Sequence, residues 1–312
     1  RYLVSEADES DGSFLKLRPH IAVVTNVEDD HMDHYGTMEK IIAAFRQFIE
    51  QVDTDGAAVL CFENANLRNI ARETKRCVVS YAIDYEADYR ASDIETRGSL
   101  ISFTVHERGA EMGRISLNIP GRHNVLNALA SIGVALECKA PIAAIQQGLA
   151  TFGGVGRRFQ SYGEIALLQG GKALVIDDYG HHPVEMQATL AAARGAYPNN
   201  RLVLAFQPHR YTRTRDLFED FVNILNSVDA LVLTDVYAAG EEPIVAADSR
   251  ALTRAVRVHG KLEPIYCADV NAVPETLLHN VLQDGDVVLT MGAGSINRVA
   301  QGLVDLAQQE AA

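Results

Sequence analysis

The feature that most restricts the fold is an alternation. Through the second half of the chain, apolar runs of strand length ("ALVIDD", "RLVLAF", "ALVLTD", "DVVLTM") recur, each separated from the next by a stretch with helical periodicity. Runs this short, apolar throughout and ending in polar residues, predict strands buried on both faces. Helices between them predict the crossovers of a parallel sheet. The first half begins the same way, with "YLV", "IAVVT" and "AAVLC" as strands and "TMEKIIAAFRQFIEQV" as a helix entered through a Thr cap. From Val78 to Leu117 the pattern turns to polar-interrupted segments such as "LISFTV" and "GRISLNI". These predict antiparallel strands inserted in the α/β domain. "PGRHNVLNALASIGVALE" then restarts a helix, with Val125, Leu129, Ile132 and Leu136 along one face.

With 312 residues, 47% of them apolar, the chain can bury two cores, and "GGVGRRFQ" marks the boundary near residue 155. The net charge of -13 argues against a nucleic-acid partner, which would call for a basic face. Cys61, Cys77, Cys138 and Cys267 form no CxxC pair, so neither a zinc site nor a disulfide framework is predicted. No apolar run reaches the length of about 18 residues that a membrane span needs. A cytoplasmic protein with no membrane partner is expected, and a homo-oligomer is compatible with the composition.

Four polar clusters follow predicted strands, where open α/β sheets place their ligands. "SEADESD" (residues 5–11) and "NVEDDHMDHYG" (26–36) concentrate carboxylates that would repel one another unless a cation sits between them. By ligand preference, magnesium would select Asp over His there. "DDYGHHP" (177–183) carries adjacent imidazoles, His181 and His182, of which a regular element can aim only one at a given centre. "QPHRYTRTRD" (207–216) offers Arg210 and Arg213, whose forks suit carboxylate or phosphate. No GxxxxGK[ST] loop occurs, and "MGAGSIN" has Asn297 where a dinucleotide fingerprint needs its third Gly.

Taken in order, "EADESD", "NVEDDHMDHYG", "GRHNVLNALA", "GVGRRF", "DDYGHHP", "FQPHRYTRTRD" and "GAGSI" closely resemble the Mur ligases of peptidoglycan synthesis over the whole chain. The resemblance implies an ATP-dependent, amide-forming ligase of the cytoplasm that uses ATP and Mg. Its closest pattern is that of the member taking UDP-N-acetylmuramate and L-alanine as substrates and passing through an acyl phosphate. The expected fold is α/β. Residues 1–155 would be a partial central ATP-binding domain, with a mostly parallel sheet plus small antiparallel strands, and residues 156–312 a Rossmann-like C-terminal domain. The family's phosphate loop and UDP-binding domain would precede Arg1, so residues 1–312 alone are expected to be inactive.

By the same resemblance Glu6 and His31 are metal-site residues, with Asp30 and Asp33 behind them. Asn124 and Asn127 would contact adenine, Arg158 the nucleotide phosphates and Asp178 the ribose. Tyr179, His181, His209, Arg210 and Arg213 would surround the substrate carboxylate, the intermediate and the amine, with His31, His181, Arg210 and Arg213 catalytic. Arg46 occupies the place of a lysine that several relatives carbamylate, so that feature is not carried over. The alternatives are a murein-peptide recycling ligase and a non-catalytic nucleotide- or anion-binding module.

Overall fold

A computed structural model describes residues 2–29, 31–260 and 262–311, without the side chain of Asp33. The expected roles of Asp30 and of the Asp33 side chain therefore lie outside the described residues. Two compact units are present: Arg1–Thr96, Leu100–Asn118 and Arg122–Phe152 form the first, and Arg97–Ser99, Ile119–Gly121 and Gly153–Ala312 the second.

The sheet of the first unit runs β1 (Ile21–Val24), β2 (Ala57–Cys61), β3 (Val78–Ala82), β4 (Tyr89–Arg97), β5 (Leu100–Glu107) and β6 (Ala110–Leu117), side by side in that order. β1 to β4 are parallel, and β5 and β6 pair antiparallel. The segment from Val78 to Leu117 is thus not uniformly antiparallel: β3 is a sheet strand flanked on both sides, and its buried run reads like β2 because both its faces are covered. "YLV" is not a strand. Tyr2, Leu3 and Val4 are 73%, 93% and 93% exposed, and no described strand pairs with them, which removes the hydrogen-bond ladder a strand requires.

Helices cover the sheet for reasons visible in their sequences. After the short α1 (Met32–Tyr35), α2 (Met38–Glu50) starts where the Thr37 side chain accepts the Lys40 N–H, and it buries Ile41, Ala44, Phe48 and Ile49. Phe45 and Phe48 close on Phe14, at ring separations of 5.2 and 5.0 Å. α3 (Ala65–Glu73) is capped by Asn64, and α4 (Arg122–Glu137) lays Val125, Leu129 and Ile132 into the core, followed by α5 (Ile142–Thr151).

The second unit's sheet has the order β11 (Ile265–Tyr266), β10 (Ala230–Leu233), β9 (Leu202–Phe206), β12 (Val287–Met291), β8 (Lys172–Asp178) and β7 (Gln160–Ala166). All pairs are parallel except β7–β8. β7 had no distinct signal in the sequence, since its polar, alternating residues belong to an edge strand. α6 (Pro183–Ala196), α7 (Tyr211–Asp216), α8 (Phe218–Leu225) and α9 (Ser249–Val258) follow β8, β9 and β10. Met186, Leu190, Phe221, Leu225, Leu252 and Val256 pack with Phe206 in one core, while Leu277, Val299 and Leu303 pack with Val203 and Val288 in another. Covered on both faces, the sheet is doubly wound. Because β12 inserts between β8 and β9, the chain's winding reverses there, and the carboxyl ends of these strands are where open α/β sheets place their ligands.

Candidate functional site

In the second unit the candidate residues lie at and just beyond the carboxyl ends of the strands. Asp178 ends β8 with both carboxylate oxygens engaged: one accepts the Phe159 N–H at 2.8 Å and the other the Gly180 N–H at 2.8 Å. Burial raises its carboxyl above the usual range, although these two amides oppose the shift. The group expected at a ribose is here an internal tie that shapes the Tyr179–His181 turn. Asp177, fully buried, takes the Arg157 Nε at 2.9 Å and the Thr290 hydroxyl at 2.6 Å. Arg157 also donates to the Gly292 carbonyl at 2.5 Å and accepts the Tyr179 N–H at 2.7 Å on its own carbonyl.

On this frame four rings form a file. Tyr179 and His181 meet at 5.2 Å, His181 and His209 at 5.5 Å, and His209 stacks on Tyr237 at 5.4 Å with the planes 10° apart. The guanidinium groups of Arg157 and Arg158 lie 5.1 and 5.5 Å from the Tyr179 ring centre, within reach of a cation–π attraction. His182 takes no part: it caps α6, its ring accepting the Val184 N–H while Glu185 returns to its backbone N–H. The ambiguity between adjacent imidazoles is therefore resolved by the cap, with His181 in the file.

Electrostatics divides the two imidazoles. Burial, then His181, Arg213 and Arg210, push His209 from 6.5 to about 4 against the weaker pull of Glu241. It is a neutral ring at pH 7, and its buried Nδ1 lacks a hydrogen-bond partner among the described residues. His181 instead has its Nδ1 at 3.2 Å from the Tyr179 carbonyl and 3.3 Å from Glu185 Oε2. Burial raises the Glu185 carboxyl, but His181, the backbone amides and Arg158 together hold it below its ordinary value. Arg210 precedes α7 rather than sitting within it, with φ at +70°, a conformation rare for a side chain of its size. Its guanidinium is 3.8 Å from Glu241, which also accepts both the hydroxyl and the N–H of Thr212. Arg213 lies in the last turn of α7.

In the first unit, the loop after residue 4 and the loop after β1 do converge. The Tyr35 hydroxyl donates to the Glu9 carbonyl at 2.5 Å, and His31 Nε2 lies 3.5 Å from Glu9 Oε1. His31 itself has φ at +58°, another left-handed non-glycine at a nominated position. Glu9 is thus a carboxylate beside His31, and Glu6 is exposed. Asp8 and Asp11 accept the backbone N–H groups of Ser10 and Ser13, and the hydroxyls and then the backbone amides of those serines hold both carboxyls below their ordinary values. Glu9 and His31 together offer a carboxylate and an imidazole to a divalent cation, and Glu6 would have to approach them, since the described residues whose ligand atoms already lie close enough for one ion are His20, Asp53 and Asp55, all exposed. Asn124 and Asn127 share one face of α4, 3.5 Å apart. Arg46 is paired with Glu73 at 2.6 Å.

Sequence reading missed Glu9, Arg157, Glu185, Tyr237 and Glu241. Glu185 had a usable signal, since a helix cap followed three residues later by Glu is a recognisable box. Tyr237 had none, because its meeting with His209 depends on β9 and β10 being neighbours.

Residues 1–135 match the Mur ligase middle domain, and residues 157–294 match the Mur ligase glutamate ligase domain. The UDP-N-acetylmuramate--L-alanine ligase of Neisseria meningitidis serogroup C is 63% identical over 313 residues, which cover 99% of this chain and 67% of that relative. The chain spans about two thirds of the length of the curated relatives it matches. Among solved structures, the UDP-N-acetylmuramate-alanine ligase of Thermotoga maritima superposes with a TM-score of 0.78 at 25% identity, over 97% of this chain and 63% of that one. The MurF ligase of Thermotoga maritima, solved in complex with ADP, shares the fold with a TM-score of 0.73 at 19% identity, over 96% and 65% of the two chains. On the match of both units and the identity to curated relatives, this chain belongs to the Mur ligase family.

Proposed function

We propose that this chain is the catalytic part of an ATP-dependent ligase that adds L-alanine to UDP-N-acetylmuramate through an acyl phosphate, in peptidoglycan synthesis. The observation that carries the reading is the ring file with its guanidiniums: imidazoles and arginines gathered at the carboxyl ends of β8, β9 and β10, where an anionic acyl donor and an amine can meet. Relatives at 63% identity are named for this reaction. A carboxylate is a poor electrophile, and activating it with phosphate divides one difficult step into two easier ones. Arg210 and Arg213 would hold the negative charge of the carboxylate and of the departing phosphate. His209, neutral and half-buried, would donate or accept a hydrogen bond without adding charge, and His181 would handle the amine's proton.

In the first unit Glu6, Glu9 and His31 would hold Mg, which supplies charge neutralisation to the phosphates when bound. Asn124 and Asn127 would contact adenine, and Arg158, exposed beside Tyr179, the nucleotide phosphates. Asp178, with one backbone N–H on each carboxylate oxygen and further lone pairs on both, would accept a ribose hydroxyl while tying its own turn.

The test is phosphate release by the full-length gene product, expected only with ATP, UDP-N-acetylmuramate and L-alanine together. A murein tripeptide in place of L-alanine should support little turnover. Preference for the tripeptide would assign the recycling reaction, and magnesium-independent nucleotide binding without turnover, unaffected by His31→Ala, would assign a non-catalytic module.

A further inference from the structure

The acid–base partner of His181 is set by a residue outside the expected site. Glu185 stands in the first turn of α6, where its Oε2 accepts the His181 N–H at 3.0 Å and the His182 N–H at 3.2 Å. The same oxygen is 3.3 Å from His181 Nδ1, and Oε1 is 3.7 Å from the Arg158 guanidinium. The second neighbour of Nδ1, the Tyr179 carbonyl at 3.2 Å, can only accept. The hydrogen bond to that carbonyl requires Nδ1 to carry the proton, and the Glu185 carboxylate 3.3 Å away favours the proton there by its charge. The basic lone pair of the neutral ring is then on Nε2.

We infer that Glu185 is a positioning residue that holds His181 as the Nδ1–H tautomer and thereby makes Nε2 the acceptor of the proton lost by the incoming amine. The inference rests on the ligase reading above. In that step an N–H bond of the ammonium breaks, its electron pair stays on nitrogen as the nucleophilic lone pair, and the proton bonds to Nε2. The resulting imidazolium is stabilised by the carboxylate at its other nitrogen, as a carboxylate beside a histidine ordinarily does. Other charged or titratable groups bear on the ring. His209 faces it from the end of β9 with Arg210 and Arg213 beyond, and Tyr179 faces it with Arg157 and Arg158 beside that ring. The guanidiniums disfavour the imidazolium, and Glu185 is the carboxylate that offsets them.

The experiment is a histidine-labelled NMR titration of the full-length protein, with the pH profile of kcat/KM for L-alanine measured beside it. The wild type should show Nδ1 protonated and Nε2 unprotonated in the neutral His181 ring. Glu185→Gln keeps an oxygen for the two backbone amides, so α6 stays capped while the charge is lost. That variant should lower the His181 titration midpoint by about one unit and carry the acid limb of the kcat/KM profile down with it. A merely structural role would move neither. An Nε2–H tautomer in the wild type, or an unmoved midpoint in Glu185→Gln, would overturn the inference, and the wild-type measurement decides even where the variant fails to fold. A protein that forms no amide while His181 titrates as expected would sink the ligase reading alone. An active ligase with the Nε2–H tautomer would sink this inference alone.

Discussion

Arg157 shows how much of the site rests on one side chain outside it. Its guanidinium joins the end of β8 at Asp177 to the Gly292 carbonyl after β12, and its carbonyl holds the Tyr179 N–H. Arg157→Leu would leave a fully buried carboxylate with the Thr290 hydroxyl as its remaining described partner. The expected loss is about 3 to 5 kcal/mol of stability, measured by denaturant unfolding. His209 makes a prediction in pH. Its folded pKa, about 4, lies below its ordinary 6.5, so the unfolded chain takes up this proton first as pH falls. Stability from this group is therefore complete above about 6.5, declines between about 6.5 and about 4, and changes no further below that. His209→Gln should flatten that part of the stability profile, and an unchanged slope would show that His209 does not titrate in this way. At this scale the sequence pointed to the residues of "DDYGHHP" and "QPHR". It was silent on which oxygen of Asp178 or which imidazole was already committed, because those commitments are made to backbone amides brought close by folding.

The elements carry predictions of their own. Thr37 caps α2 through its side chain, and Thr37→Ala should cost about 1 kcal/mol, with Thr37→Ser close to neutral. β1 lies at the edge of its sheet with Val23 42% exposed. An apolar edge strand is a template for intermolecular pairing, so residues 1–312 expressed alone should aggregate less as Val23→Lys. Light scattering at equal concentration would show no difference if the edge is not the route. Helices were the more legible elements, since α2 announces itself by its Thr37 cap and both α2 and α4 by apolar residues spaced to one face. "YLV" was misread because its composition suits a strand while strand formation depends on a partner. β7 was overlooked for the opposite reason: its residues carry little strand signal and its partner β8 makes it a strand.

Across the molecule, the chain holds two α/β units and matches the Mur ligase middle and glutamate ligase domains in turn. It contains no GxxxxGK[ST] loop. Residues 1–312 purified alone are accordingly expected to release no phosphate from ATP with UDP-N-acetylmuramate and L-alanine; normal turnover by that segment would refute the assignment of phosphate binding to a loop it does not carry. No helix among the described residues is long and apolar enough to cross a membrane. The sequence by itself determined the α/β class, helices such as α2, α4 and α5, most strands of the second sheet and the polar clusters of the site, because each is written in local periodicity or in residues that come directly after one strand. Tertiary structure alone decided that β12 separates β8 from β9, that Tyr237 stacks on His209, that Glu9 lies beside His31, and that Arg157 ties three segments together. Those facts depend on which segments become neighbours, and neighbours far apart in the chain are chosen by the packing of whole sheets and helices.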